Sequence, residues 1–146
     1  MENIFTKKLD IAAKLPTKGS IDAAGSDLYA CISKEIEIPA GETVMIPTGL
    51  AMQIPSGYGG FIYARSGLAT KNGIRPANCV GVVDADYRGE VKVALHNDSS
   101  FPVTIYPEDR IAQIVIAPFL QVNFFEVDHL TDTERGEGGF GSTGTN

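Results

Sequence analysis

Gly81-Val82-Val83-Asp84-Ala85-Asp86-Tyr87-Arg88-Gly89-Glu90 is the stretch around which the rest of the chain is organised. An apolar segment from Cys79 to Val83 leads into it, and the alternating residues 91–95 follow it. This pattern predicts a β-hairpin whose tip is formed by residues 84–89. A hairpin tip requires only residues that accept positive φ angles, so two carboxylates, an aromatic ring and an arginine exceed what a turn needs.

The chemistry of this tip has two interpretations. A carboxylate that leaves an apolar strand, as Asp84 does, is expected to be partly withdrawn from water and suited to accept a proton from a water molecule. Tyr87 offers a flat face for a sugar or a base. The alternative is a solvated turn with a chance aromatic side chain. This segment alone does not exclude that alternative, so the decision depends on the other motifs.

Length and charge limit the classes of function. The chain has 146 residues, which fits one domain able to bury roughly 70% of the surface that its unfolded chain exposes. Its formal net charge of -6 argues against binding of polymeric nucleic acid, because a phosphate backbone requires a basic face. An anionic ligand must therefore be met locally, by a few arginines or by a metal ion.

The apolar segments indicate a soluble, cytoplasmic protein without a membrane partner. Residues 1–8 have no long apolar core after their charges, so they are neither a signal peptide nor an anchor. The longest apolar run, residues 114–120, contains Pro118 and is too short to span a bilayer. Cys31 and Cys79 form no CxxC motif and have no nearby histidine, so we expect small core residues rather than zinc or redox sites.

Short strands separated by glycine and proline dominate the chain. Turns are predicted at Pro39-Ala40-Gly41 and Pro47-Thr48-Gly49, and a short helical turn at Ser66–Lys71. About ten short strands at this spacing predict an all-β domain, as a sandwich, jelly roll or barrel. The predicted strands are residues 35–38, 43–46, 50–54, 58–64, 80–83, 91–95, 103–106, 111–119 and 122–127.

The C-terminal tail differs from the rest of the chain. Residues 135–146 contain five glycines in twelve residues and cannot bury a core, so we divide the chain into a β domain, 1–134, and a glycine-rich lid, 135–146. A disordered terminus is the alternative. However, glycine lets backbone N–H groups wrap phosphate oxygens, Arg135 can bind phosphate, and Phe140 can stack on a base. These features favour a lid that becomes ordered on a ligand.

Three further clusters lie between the tail and the N-terminus. Asp27 stands in a small-residue turn at the start of a strand, where it either meets a metal ion through water or forms a structural Asx turn. Ser66 follows a strand and is expected to cap the helical turn, whose N–H groups can face an anion. Asp109 and Arg110 suggest a turn acid and a local ion pair.

Taken together and in this order, these five segments resemble the motifs of the trimeric dUTP pyrophosphatases (dUTPases). The resemblance covers residues 24–144, and its most specific matches are residues 65–67, 83–89 and 135–144. Two positions depart from the family pattern. Ser26 stands where an aromatic or larger residue is common, and Glu108 stands where glycine is usual, which adds a negative charge near the implied phosphate site.

The resemblance implies a jelly-roll-like β-barrel or sandwich subunit with a C-terminal strand or arm and a glycine-rich tail, assembled as a homotrimer with three active sites at subunit interfaces. The implied reaction is hydrolysis of dUTP to dUMP and pyrophosphate with Mg²⁺, which limits uracil in DNA and supplies dUMP for dTMP synthesis. Such a reaction needs an aligned water, a base for its proton and a cation to offset phosphate charge. Direct attack by water also agrees with the lack of an evident Ser-His or Cys-His pair.

The resemblance also implies a role for individual residues. Asp84 would hold the attacking water, and Tyr87 would pack on the deoxyribose. Asn78 and the backbone of Gly81 and Val83 would contact uracil. Asp27 and Gln113 would bind waters of the Mg²⁺ shell, with the metal held mainly by the triphosphate. The remaining implied substrate contacts are Arg65, Ser66, Gly67, Gln113, Arg135, Phe140, Gly141 and Ser142.

Three alternatives stay open at this point. A dCTP deaminase resembles this fold, but residues 84–89 and the tail match the pyrophosphatases more closely. A nucleotide-gated regulatory protein could lose Asp84 or the tail, and this chain retains both. A plain β-sandwich interaction domain would have to carry five ordered motifs by coincidence. Zinc-dependent deaminases are excluded because the H-x-E and P-C-x-x-C ligands are missing.

Overall fold

Antiparallel β-strands build the subunit in this computed structural model, which describes residues 3–139. The strands in chain order are β1 (Phe5–Lys8), β2 (Thr17–Lys18), β3 (Ser26–Tyr29), β4 (Ile36–Ile38), β5 (Thr43–Gln53), β6 (Tyr58–Tyr63), β7 (Ile74–Pro76), β8 (Gly81–Val83), β9 (Val91–Asn97), β10 (Val103–Ile105) and β11 (Arg110–Pro118). A short helix, α1 (Ser66–Asn72), lies between β6 and β7.

These strands form three sheets. The largest has the order β2-β3-β11-β6-β8, the second β1-β5-β9-β7, and a small one pairs β10 with β4. Every strand pair is antiparallel. The prediction of an all-β, jelly-roll-like fold is confirmed, as is the predicted helical turn.

Alternation along the strands produces the core. In β9, Val91, Val93 and Leu95 are buried while Lys92 between them is exposed, the period of two expected of a half-buried strand. Each such side chain contributes about 1.5–3 kcal/mol when it leaves water. The fully buried core side chains include Leu28, Ile38, Ile46, Leu50, Ile54, Ile74, Leu95, Ile105 and Ile111.

The turn predicted at Pro47-Thr48-Gly49 is a bulge inside one continuous strand. The register of β5 against β9 shifts between Pro47 and Leu50, and Gly49 has a φ of 67°. A Cβ atom at Gly49 would lie 2.8 Å from both Ala13 Cβ and Cys31 Sγ, so glycine is required there on two grounds. Glycine and proline are typical of a β-bulge as well as of a turn, so the local sequence does not distinguish these two structures.

The hairpin predicted around residues 84–89 is also wrong. Strand β8 pairs with β6, whereas β9 pairs with β5 and β7, so the two arms of the expected hairpin belong to different sheets. Residues 84–90 instead connect the two sheets. The alternating pattern identified both strands correctly, but it carries no information about which neighbour each strand pairs with.

The C-terminal segment forms no strand. The prediction for residues 122–127 is wrong for the single subunit, because residues 119–139 contain no helix or strand. Large apolar side chains in this segment are exposed: Phe119, Leu120, Val122, Phe124, Phe125, Val127 and Leu130. Three strands were not predicted, namely β1, β2 and β7, whereas the strand expected to start near Asp27 is β3. Among the described residues, no helix is long and apolar enough to cross a membrane.

Candidate active site

A cavity of about 430 Å³ lies between β8 and the start of β9, where the two strands diverge into their separate sheets. Five residues from the resemblance line it: Asn78, Gly81, Val83, Asp84 and Tyr87. The other lining residues are Met45, Ile62, Val82, Glu90, Val91 and Lys92. Divergence of the two strands is therefore what opens the site.

One wall of the cavity is the edge of a sheet. Strand β8 pairs with β6 on one side and ends the five-stranded sheet on the other. Backbone N–H and C=O groups along such an edge have no strand partner and can bind a ligand. The Asn78 side-chain amide packs over this edge, with its Nδ2 atom 3.4 Å from where a Cβ of Gly81 would be. A Cβ at position 81 would therefore touch the amide and would lie slightly closer, at 3.3 Å, to Ile62 Cβ.

The turn before β8 corrects one prediction. Cys79 is exposed and has a φ of 63°, so it is not the core residue that the sequence suggested. Cys31, by contrast, is partly buried and packs against the core. Burial, reinforced by the negative charges of Asp10 and Glu90, raises the pKa of the Cys31 thiol.

Residues 84–88 form a turn that is tied together by its own atoms. The Tyr87 N–H donates to the Asp84 carbonyl at 3.2 Å. The Arg88 guanidinium donates to the carbonyls of Ala85 and Tyr87 at 2.6 and 2.9 Å. The Asp84 carboxylate is exposed in the single subunit, which corrects the expectation that the preceding apolar strand would withdraw it from water.

The Tyr87 ring lies across Gly89. A Cβ atom at Gly89 would be 2.4 Å from the Tyr87 hydroxyl oxygen, so the absence of a side chain there makes room for the ring. The Tyr87 hydroxyl donates to the Glu90 carbonyl at 3.0 Å. The ring is thus fixed at both the turn and its own far end.

The bulge in β5 supports the far side of this turn. The buried Thr48 hydroxyl donates to the Val91 carbonyl at 2.6 Å, and the Gly49 N–H donates to Glu90 Oε1 at 2.9 Å. Glu90 Oε2 lies 3.4 Å from Lys92 Nζ. Sequence reasoning did not identify Thr48 or Glu90 as part of the site, because they are 41 to 43 residues from their partners and no local pattern marks them.

A second cluster gathers Asp27, Arg65 and Gln113 on the five-stranded sheet. Arg65 Nε donates to Asp27 Oδ1 at 2.8 Å, and Arg110 Nη1 lies 3.3 Å from Asp27 Oδ2. Gln113 faces Asp27 across β3 and β11, and its amide nitrogen donates to the Ala64 carbonyl at 2.9 Å. The ion pair expected locally between Asp109 and Arg110 is therefore made by Arg110 with Asp27.

The neighbouring turns resolve two more expectations. Asp109 is the turn acid that the sequence suggested, since its carboxylate accepts from the Tyr106 N–H at 2.8 Å. Ser66 is not the helix cap: Arg65 occupies the N-cap position of α1, with no side-chain capping hydrogen bond. Ser66 and Gly67 are both exposed, and a Cβ at Gly67 would contact nothing within 4 Å. The fold alone therefore does not require glycine at position 67.

The two clusters remain separate in one subunit. None of Asp27, Arg65, Ser66, Gly67 and Gln113 lines the cavity beside β8. In the tail, Arg135 Nε donates to the Gly138 carbonyl at 2.7 Å, within its own turn. Phe140, Gly141 and Ser142, which complete the implied substrate contacts, lie outside the described residues.

The donor set of the second cluster indicates how a metal ion can be accommodated. Both Asp27 oxygens already face arginines, and the Gln113 amide nitrogen is bonded to a carbonyl. Within residues 3–139, no group of three or more His, Cys, Asp or Glu side chains could hold a metal ion. Protein ligands alone do not form a site, and the residues fit a hydrated ion carried by an anionic ligand.

Comparisons with known proteins agree on one family. The family model described as dUTPase matches residues 12–144. A "Deoxyuridine 5'-triphosphate nucleotidohydrolase" of Neisseria meningitidis serogroup A is 46% identical over 99% of this chain and 95% of its own length. A protein with the same name from Desulfitobacterium hafniense strain DSM 10664 / DCB-2 is 50% identical over 92% of this chain and 90% of its own. The dUTPase of Staphylococcus bacteriophage 80alpha, solved with dUPNHPP, has a TM-score of 0.89 at 26% identity and covers 99% of both chains.

Proposed function

Because this chain belongs to the dUTPase family, we propose that the cavity beside β8 receives dUTP and that Asp84 activates the water that splits it into dUMP and pyrophosphate. This enzyme hydrolyses dUTP, since the relatives that it matches over nearly their full length are named deoxyuridine 5'-triphosphate nucleotidohydrolases. One observation carries the proposed mechanism: Asn78, the β8 edge, Asp84 and Tyr87 surround one cavity.

The base is recognised at the edge of β8. Uracil presents alternating carbonyl and N–H groups, which match the free backbone donors and acceptors of an edge strand. The Asn78 amide adds a donor and an acceptor beside Gly81. A site that hydrogen-bonds one edge pattern leaves buried groups unpaired when cytosine enters, and this mismatch provides selectivity.

Asp84 and Tyr87 act on the sugar and on water. The Tyr87 ring, fixed over Gly89, packs against deoxyribose and leaves no room for a 2′-hydroxyl. The Asp84 carboxylate takes a proton from the water as its oxygen attacks the α-phosphorus, and pyrophosphate leaves. Asp84 is exposed in one subunit, so a neighbouring subunit and the substrate must exclude bulk water from it.

The phosphates are bound by the second cluster of a neighbouring subunit. Arg65, Ser66, Gly67 and Gln113 do not line the cavity of their own chain, which supports an active site completed by another copy. A homotrimer with three shared sites satisfies this requirement with closed symmetry. The open space above Gly67 lets its backbone approach a phosphate oxygen.

Asp27 and Gln113 would hold Mg²⁺ through waters of its shell, and the ion, carried mainly by the triphosphate, would offset the negative charge of the phosphates. Arg65 keeps the Asp27 carboxylate in place through the 2.8 Å hydrogen bond. The tail, residues 135–146, is the lid over the bound nucleotide: Arg135 binds the terminal phosphate, Phe140 covers uracil, and Gly141 and Ser142 complete the substrate contacts. The β domain, residues 1–134, supplies everything else.

The purified protein tests this proposal with each deoxynucleoside triphosphate and with UTP, in Mg²⁺. We expect pyrophosphate release from dUTP to exceed that from dCTP, dTTP and UTP by about 10⁴-fold or more in kcat/KM. Ammonia release from dCTP is measured in parallel. Deamination of dCTP would indicate a dCTP deaminase, the alternative enzyme that resembles this fold. Comparable pyrophosphate release from UTP or dCTP would contradict the proposed recognition of base and sugar.

A further inference from the structure

Glu90 stands where the bulge of β5 meets the turn that carries Asp84 and Tyr87. Its Oε1 atom accepts the Gly49 N–H at 2.9 Å, and the carbonyl of the next residue, Val91, accepts the buried Thr48 hydroxyl at 2.6 Å. Two adjacent residues of the bulge thus hold two adjacent residues at the end of the turn. The hydrogen bonds cross from one strand to its neighbour, so they fix the turn relative to the sheet.

The bulge is a rigid anchor. Gly49 cannot gain a side chain without contacting Ala13 and Cys31, and its carbonyl accepts the Leu9 N–H at 2.7 Å. The carbonyl of Pro47 accepts the Cys31 N–H at 2.8 Å. Residues 9–13, Cys31 and residues 90–91, which are distant in sequence, therefore all contact the bulge. A group that is hydrogen-bonded to the bulge has little freedom to move.

A direct path leads from Glu90 to the cavity. The backbone carbonyl of Glu90 accepts the Tyr87 hydroxyl at 3.0 Å, and the Tyr87 N–H donates to the Asp84 carbonyl. Movement of residue 90 would move the acceptor of the Tyr87 hydroxyl and release the far end of the ring. Glu90 itself lines the cavity, so it is close to the residues that it fixes.

We propose that Glu90 is a positioning residue: by accepting the Gly49 N–H, its carboxylate holds the Tyr87 ring, and with it the Asp84 turn, in the geometry that discriminates deoxyribose and aligns the attacking water. This inference rests on the function proposed above. It assigns to the β5 bulge a part in catalysis that no pattern in the sequence indicates.

The hydrogen bond rather than the charge of Glu90 carries this role. The contact with Lys92 is longer, at 3.4 Å, and the Lys92 side chain is 49% exposed, so that ion pair contributes little. Gly49, by comparison, is a buried residue, and its N–H donates to Glu90 Oε1 at the shorter distance of 2.9 Å. Loss of its acceptor leaves a polar group unsatisfied and frees residue 90.

Two substitutions separate hydrogen bonding from charge. Glu90→Gln keeps an oxygen at the position of Oε1 and removes the charge, whereas Glu90→Asp keeps the charge and shortens the side chain by one methylene. Glu37, an exposed glutamate of β4 outside both clusters, provides the matched control as Glu37→Asp. Steady-state kinetics with dUTP and UTP are measured for all four proteins.

We expect Glu90→Asp to lower kcat for dUTP by about 10- to 10²-fold with a smaller change in KM, because a displaced base misaligns the water more than it weakens binding. The ratio of kcat/KM for dUTP over UTP should fall in parallel. Glu90→Gln and Glu37→Asp should both stay within about threefold of the parent enzyme, since the hydrogen bond to Gly49 persists in each.

Ring resonances of Tyr87 give a readout that does not depend on activity. In protein with labelled tyrosines, assigned through Tyr87→Phe, they should move in Glu90→Asp and remain in Glu90→Gln. Parental kcat and selectivity in Glu90→Asp, or equal losses in Glu90→Gln and Glu90→Asp, would overturn the inference. Failure of the parent protein to hydrolyse dUTP would instead reject the proposed function, and unchanged Tyr87 resonances in Glu90→Asp would reject the positioning role separately.

Discussion

The turn at residues 84–90 and the segment at residues 119–130 differ in where their side chains find partners. In the turn, the Tyr87 hydroxyl, the Arg88 guanidinium and the Glu90 carboxylate are all hydrogen-bonded within the same subunit. In the C-terminal segment, Phe124 is 93% exposed and Leu130 87% exposed. The side chains of the turn find their partners in one chain, whereas the apolar side chains of the segment are left uncovered by the described residues.

Under the proposed function, this difference would let one chain hold half of a shared active site. The cavity beside β8 is preformed because the bulge of β5 is hydrogen-bonded to Glu90 and Val91, which line it. The second cluster, around Asp27, is also hydrogen-bonded within the chain, but its residues do not line that cavity. Exposed apolar segments of this size are typical of protein interfaces. We therefore expect assembly, not refolding, to bring the two half-sites together.

The largest effect should come from Asp84→Asn. The amide matches the carboxylate in size but cannot take the proton of water, so kcat should fall by about 10²- to 10⁴-fold. Affinity for a non-hydrolysable dUTP analogue and the unfolding midpoint should stay near those of the parent protein, because Asp84 is exposed and its backbone carbonyl, not its side chain, closes the turn.

Asp86→Asn is the matched control for that variant. Asp86 is an exposed carboxylate in the same turn, and it does not line the cavity. Its neutralisation changes the charge of the turn equally and should leave kcat almost unchanged. An Asp84→Asn enzyme with near-parental kcat, or an equal loss in Asp86→Asn, would mean that the turn contributes charge rather than a general base.

The next effect tests whether the half-sites come from different chains. Deletion of residues 135–146 should lower kcat/KM for dUTP by roughly 10²-fold, because the nucleotide loses its cover and Arg135, while the β domain stays folded. Truncated chains are then mixed with Asp84→Asn chains under conditions that allow subunit exchange. Some of the resulting sites should contain both an intact Asp84 and an intact tail. In equal mixtures, about one site in four is intact if tail and Asp84 come from different subunits.

Recovery must exceed the summed activities of the two separate variants. Confirmed subunit exchange without any recovery would show that each site takes its tail and its Asp84 from one chain. A protein that remains monomeric at assay concentration would remove the basis for shared sites altogether.

A smaller effect should come from the exposed aromatic residues of the C-terminal segment. Phe124→Ser combined with Phe125→Ser should weaken assembly by a few kcal/mol, because two large apolar surfaces lose their burial against another copy. Stability of the isolated β domain should not change, since both rings are exposed in the single subunit. Sedimentation velocity over a dilution series measures the first quantity, and thermal unfolding of dissociated protein measures the second.

Phe101→Ser is the matched control, because Phe101 is 75% exposed but lies in the turn before β10. It should leave the association constant unchanged. Equal weakening by both substitutions would indicate a general loss of surface apolarity, and unweakened assembly in the double variant would leave the segment without a role between subunits.

The same contrast separates what the sequence predicted from what it did not. Alternation placed β6, β9 and β11 correctly, because burial on one face depends on the local order of side chains. The hairpin around Asp84 and the turn at Gly49 were wrong, because pairing of β8 and β9 with other strands is a long-range property. Residues 122–127 are rich in valine and phenylalanine, as strands often are, but no strand among residues 3–139 pairs with them.

The candidate site shows the same limit. Asn78, Asp84 and Tyr87 lie within ten residues, and a local motif was enough to bring them into one cavity. Glu90 escaped notice because its function depends on Gly49, 41 residues away. Departures from a family pattern were more informative: Glu108, where glycine is usual, has a φ of 67°, so the structure accounts for that preference.

The smallest effect is expected from substitution of Glu108. The turn that contains Glu108, like residues 84–90, makes its contacts within its own chain. Glu108 Oε2 is 2.6 Å from Lys14 Nζ, and the Glu108 N–H donates to the Ala30 carbonyl. Glu108→Ala keeps the left-handed backbone and loses the ion pair, which costs less than about 1 kcal/mol because both side chains are largely exposed. Glu108→Gly loses the same ion pair, but it also removes the left-handed backbone strain, which is about 1–2 kcal/mol. Part of this gain in folding stability is offset, because glycine increases the conformational entropy of the unfolded chain.

We therefore expect Glu108→Gly to be more stable than Glu108→Ala by about 0.5–1 kcal/mol in urea unfolding, and close to the parent protein. The difference between parent and Glu108→Ala should shrink at 1 M salt, because the ion pair is screened, whereas the difference between Gly and Ala should not. Both differences should be independent of protein concentration if the turn contacts only its own chain. A concentration-dependent difference would place Glu108 against another subunit, and an alanine variant as stable as the glycine variant would show that the turn changes its backbone when glutamate is lost.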